Sequence, residues 1–161
     1  MKNSSYLADN DRLADVIAAI QVMGTYKYYK LDFAGWADRI TGDQKKSGHW
    51  QQVFEEHPEF FRLDSERKRA SLVWRRQHQK LFNVDKEDKI SREDYRALSK
   101  MQKARISRTP LSSGELATLI KTAIDLHSRA LEHRRENRWW VTGLLGLVGV
   151  LLGALIRGWA S

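Results

Sequence analysis

A chain of 161 residues has room for one compact core with attachments, and not for two large domains. It contains no cysteine, which excludes a disulfide framework, a thiol nucleophile and a Cys-ligated zinc or iron–sulfur site. Its formal charge of +8 suits an anionic partner, either nucleic acid or an anionic lipid surface.

The first twenty residues break their apolar positions with charges, so no secretory signal is expected and the body of the protein should stay in the cytoplasm. Asp9, Asn10 and Asp11 offer N-caps for a helix in which Leu13, Val16, Ile17, Ile20 and Met23 share one face, with Gly24 as its predicted end. The stretch Thr25–Leu31 alternates and is rich in tyrosine, as a short strand requires. Asp32 then caps a second helix closed by Gly42, and a polar turn leads into a third, His49–His57, stopped near Pro58. Two apolar runs, EFFRL and ASLVWRR, surround the charged tip DSERKR and predict a β-hairpin over Phe60–Arg76. Trp36, Trp50, Phe54, Phe60, Phe61 and Trp74 fall at inward-facing positions and are expected in the core.

This order of elements over residues 9–76 resembles a winged-helix domain, with Phe60–Arg76 as the wing and His49–His57 in the place of the recognition helix. The run VFEEHPEFFRLD followed by SLVWRR also looks like small uncharacterised bacterial proteins with a C-terminal membrane span. The fold class expected is therefore mostly α with a small β-hairpin (α+β), divided into a winged-helix-like domain (1–76), a basic helical linker (77–112), a juxtamembrane amphipathic helix (113–138) and a transmembrane helix (139–156).

Within the linker, Ser91 and Asp94 form a capping-box-like start for one helix over SREDYRALSKMQKARI. After Pro110, Ser112 or Ser113 caps a helix whose Leu116, Leu119, Ile120, Ala123, Leu126, His127 and Ala130 make one apolar stripe, expected to pack back on the soluble domain. Residues 139–156 carry no charge, and as a helix they rise roughly 27 Å, close to the thickness of a bilayer's hydrocarbon core. Trp139, Trp140 and Trp159 sit where interfacial aromatics belong, and Arg134, Arg135 and Arg138 precede the span. Positive residues stay on the cytoplasmic side, so the expectation is a single-pass, tail-anchored protein of the cytoplasmic (inner) membrane with its N-terminus in the cytoplasm. Gly143, Gly146, Gly149 and Gly153 share about a third of the span's circumference, a groove that admits a second helix and points to a homo-oligomer or a membrane-protein partner.

The charge distribution decides between partners. Residues 1–64 hold 8 Lys/Arg against 10 Asp/Glu, residues 65–108 hold 14 against 6, and residues 109–161 hold 6 against 4. The third helix has Gln51 and Gln52 but also Glu55 and Glu56, which opposes base reading in a DNA groove. Arg67, Lys68, Arg69, Arg75, Arg76 and Lys80 form the expected anion-contacting surface, with anionic lipid the first candidate and nucleic acid the second. No metal-ligand spacing, phosphate loop or nucleophile motif is found, so no catalytic residue, no metal, no cofactor and no small-molecule substrate is expected. The function expected is a non-enzymatic, membrane-tethered interaction or scaffold module. A membrane-anchored nucleic-acid-binding protein is the alternative, and a phage-encoded or phage-defence membrane factor also fits the size and architecture.

Overall fold

The computed structural model describes residues 4–7 and 9–135. Within them the chain is an α+β fold with two small antiparallel sheets.

The first helix, α1 (Arg12–Thr25), buries Val16, Ala19, Ile20 and Met23 at helical spacing. Gly24 does not end it: the helix runs through Thr25, and Tyr26 closes it by donating its N–H to Val22. The reason lies in packing. A Cβ on Gly24 would come within 2.5 Å of Leu116 Cδ2, so the bare backbone here is what lets a later helix approach α1.

Strand β1 is only Lys30–Asp32, shorter than the tyrosine-rich stretch suggested. Asp32 caps α2 (Phe33–Thr41) by accepting from Gly35 N, and Gly42 in the left-handed region closes it. A single 3-10 turn (Gln44–Lys46), capped by Asp43, feeds α3 (Ser47–Glu56), whose Trp50, Val53 and Phe54 are buried. Trp36 of α2 is also buried, and its indole N–H donates to the Ala70 carbonyl at 2.9 Å, so this large side chain leaves no polar atom unmatched.

The hairpin forms from β2 (Phe61–Leu63) and β3 (Arg69–Leu72), and β3 is the centre of the sheet order β1-β3-β2. Its second strand stops at Leu72; Trp74–Gln77 is a 3-10 turn. The register sets two faces. Leu31, Ala70 and Leu63 align across the sheet, as do Lys30, Ser71 and Arg62 on the opposite face. The Asp64 carboxylate accepts from Lys68 N and Arg69 N, pinning the tip, where Arg67 adopts φ 55°.

Residues 77–112 differ most from expectation. In place of a helical linker they build a second sheet, order β5-β4-β6, from β4 (Phe82–Asn83), β5 (Asp88–Lys89) and β6 (Ile106–Ser107). Phe82, Val84 and Ile106 are buried there. The single helix expected from Ser91 is two: α4 (Arg92–Ala97) and α5 (Lys100–Ala104). The break is chemical. Ser99 and Gln102 form a complete capping box, a second start signal inside the run, and Leu98 before it is extended.

The last described element, α6 (113–135), starts at a capping box in which Glu115 accepts from Ser112 N at 2.8 Å and donates its own N–H to Ser112 Oγ. Its stripe packs back on the body, as expected: Leu119 and Ala123 are buried in one core with Val16, Ile20, Trp36 and Phe54, and Leu116, Ile120, Leu126 and Ala130 pack against that core. Leu111 N donates to the Gly24 carbonyl just before α6 begins. Near its other end, His127 lies 6.1 Å from the Tyr6 ring, which itself packs edge-on against His57 at 4.5 Å. Tyr6 donates to Glu59 at 2.9 Å, and His57 Nδ1 meets the same carboxylate oxygen at 3.0 Å. Burial raises the Tyr6 phenol well above its ordinary value, and the adjoining Glu59 carboxylate raises it further. Burial also pushes Glu59 up, but its hydrogen bonds from His57 and Tyr6 outweigh that and hold it below the ordinary carboxylate range.

The expected transmembrane helix, its glycines Gly143, Gly146, Gly149 and Gly153, and the anchors Arg138, Trp139, Trp140 and Trp159 lie outside the described residues. Among the described residues no helix is long and apolar enough to cross a membrane.

Candidate anion-binding face

The outer face of the hairpin sheet carries a groove of about 820 Å³. Its floor is the aligned row Lys30, Ser71 and Arg62, and its walls come from α3 on one side and Arg76 and Arg108 on the other. Alternation creates this face: Phe61 turns into the core, so Arg62 must turn out.

The cations expected at this surface fall into different environments. Arg67 is exposed on the hairpin tip but reaches Glu55 of α3 at 3.0 Å, and Lys68 pairs with Glu66 at 3.1 Å. Arg69 is exposed beside Asp64. Exposed pairs of this kind contribute little stability, yet each acid cancels part of the field that a cation would offer an anion. The Gln51 amide holds the Glu55 carboxyl below its ordinary range, with Arg67 adding to the effect. Lys80 is exposed but outside the groove, and Arg134 and Arg135 are exposed at the end of α6.

Arg75 is a correction. Expected on the basic surface, it is 0% exposed and available to no external anion. Its guanidinium donates to the carbonyls of Met23 at 2.9 Å, Lys27 at 3.2 Å, Arg108 at 2.9 Å and Thr109 at 3.3 Å, and also to Tyr26 and Tyr28. The physical reason is that α1 ends here. The last carbonyls of a helix have no partner within it and carry partial negative charge, and a planar fork of five N–H donors can serve several at once. Burial pushes Arg75 down to about 10, so it remains charged at neutral pH.

Arg76, its neighbour, is exposed and lines the groove. Arg108 holds it there: its guanidinium donates to the carbonyls of Arg76 and His78 and stacks 5.2 Å from the Tyr29 ring. Sequence reasoning missed Arg62, Lys30 and Arg108. The alternation F-R-L was the available signal for Arg62; nothing local marks Arg108.

The α3 surface is committed internally. Gln51 and Gln52 donate to Glu55 and Glu56 at 3.1 and 2.7 Å, and Glu56 pairs with the buried Arg12 at 3.1 Å. The amides that would read base edges are therefore engaged with carboxylates one turn on. Among the described residues no group of three His, Asp or Glu side chains is placed to hold a metal ion. The chain matches no family model, no curated protein and no solved structure.

Proposed function

We propose that this protein is a non-enzymatic, membrane-tethered winged-helix module, acting in protein–protein interaction or as a scaffold on the cytoplasmic face of the inner membrane. One observation carries the reading. The helix 113–135 belongs to the core of the folded body, and it leads within four residues to the uncharged stretch 139–156. A long flexible tether would let the body roam; with only three residues between the docked helix and the uncharged stretch, the body is kept close to the lipid.

Support for the winged-helix assignment comes from the order helix, strand, helix, helix, strand, strand and from the sheet order β1-β3-β2. The internally paired, acidic surface of α3 favours a protein partner over sequence reading of DNA. Arg129, Arg134, Arg135 and Arg138 ahead of the stretch favour a cytoplasmic body, and the four span glycines favour close packing with a second membrane helix.

Alkaline carbonate extraction of cell membranes tests the tether. The full chain should stay in the pellet, whereas a chain ending at residue 138 should appear in the soluble fraction. Release of the full chain by carbonate would sink the reading.

A further inference from the structure

At one end of the groove a smaller cleft of about 340 Å³ is formed by Pro58, Arg62, Val73, Arg76 and Gln77. Among the described residues neither arginine has an ion-pair partner, while Lys30, Arg67 and Lys68 all do. Arg62 is turned outward by β-sheet alternation, and the Arg76 backbone is held by the bond from Arg108 to its carbonyl. Among the described residues neither cation has an acid to neutralise it. Two arginines and a glutamine lining one cleft with Pro58 and Val73 suit a tetrahedral oxyanion, because a guanidinium fork presents parallel N–H donors to a pair of oxygens.

The place of the cleft in the fold narrows the source. Pro58 directly follows His57, which shares a layer with Tyr6 and His127 of α6. From residue 127 to 135 the helix rises about 12 Å, and the four steps to Trp139 span at most about 14 Å. The uncharged stretch therefore starts within about 26 Å of His127, which keeps the folded body close to the lipid. A DNA duplex laid along the groove would meet the Glu55 and Asp64 carboxylates that line it, whereas a single headgroup needs only the cleft.

We propose that the Arg62–Arg76 cleft binds the phosphate of an anionic phospholipid headgroup, orienting the body against the inner leaflet. This rests on the membrane-tethered reading.

The test uses the full chain in lipid nanodiscs of phosphatidylcholine, with or without phosphatidylglycerol, and reads arginine modification by phenylglyoxal with mass spectrometry. In phosphatidylglycerol discs Arg62 and Arg76 should react about fivefold more slowly, equivalent to ~1 kcal/mol, while exposed Arg92 reacts unchanged. Equal rates at Arg62 and Arg76 in both discs overturn the proposal and leave the tether standing. Equal slowing at Arg92 shows diffuse attraction and overturns it as well. Inorganic phosphate or duplex DNA added to phosphatidylcholine discs should protect neither arginine as fully as phosphatidylglycerol; full protection by either one overturns the lipid assignment. A chain that does not co-elute with discs of either composition overturns both this inference and the tether.

Discussion

Arg75→Ala should lower the folding free energy by about 3–5 kcal/mol, the range for removing one partner of a buried charged network. The substitution strands six carbonyls from three segments: the end of α1, residues 26–28 before β1, and residues 108–109 before α6. Some of those carbonyls would admit water, but only by loosening the junction that Arg75 closes. Arg75→Lys should recover only part of the loss. An ammonium keeps the charge but has three donors on a single atom, and it cannot span carbonyls that the guanidinium reaches through three nitrogens. Urea denaturation of the chain in mild detergent, followed by tryptophan fluorescence, gives both numbers. A cost below ~1 kcal/mol for Arg75→Ala would place the residue on the surface energetically and contradict its role as a clasp.

The second large effect belongs to Gly24. Gly24→Leu drives a branched side chain into the space occupied by Leu116, whose Cδ2 would already stand 2.5 Å from a new Cβ, with Leu111 Cδ1 next at 3.5 Å. Overpacking of this kind costs about 1–3 kcal/mol, and here it falls on a helix–helix contact, so α6 should lift from α1. Gly24→Ala is milder, because the tip of Leu116 can rotate away and alanine favours the helix by up to ~1 kcal/mol. Hydrogen exchange distinguishes the two. In Gly24→Leu the amides of residues 116–130 should lose protection while α2 and α3 keep theirs; unchanged protection of α6 would contradict its docking through Gly24.

These two residues also mark where sequence reading succeeds and where it runs out. Features set by local chemistry were legible: the Asp32 cap and Gly42 stop of α2, the hairpin around a charged tip, and the α6 stripe that returns to the core. Each depends on residues within a turn or a strand pair of one another. Arg75 was not legible, because its environment is assembled from segments 47 to 52 residues before it and 33 to 34 after it. Beside Arg76, it reads as one of two surface cations. Gly24 was legible as special, but the cause was misassigned: a glycine near a helix end suggests a stop, and the real demand comes from Leu116 across the fold. The second sheet escaped because its strands are two residues long, too short for alternation to register.

The candidate anion-binding face shows the same division. Counting cations by segment located the basic half of the chain but could not separate paired from free charge. The hairpin tip, richest in Lys and Arg, is partly neutralised by Glu55, Glu66 and Asp64. The cleft that remains open uses one arginine from β2, in a segment whose net charge is negative, and one from beyond the hairpin. Pairing is a tertiary property, and it moved the site by several residues from where composition placed it.

The membrane tether is the claim on which partner, orientation and lipid contact all depend, and the absence of cysteine makes it directly measurable. Two single-cysteine variants, Ser65→Cys on the exposed hairpin tip and Ser161→Cys at the last residue, can be probed with a membrane-impermeant maleimide in sealed inverted inner-membrane vesicles. Ser65→Cys should be labelled at once, and Ser161→Cys only after detergent is added. Equal labelling of both variants in sealed vesicles would contradict the tether.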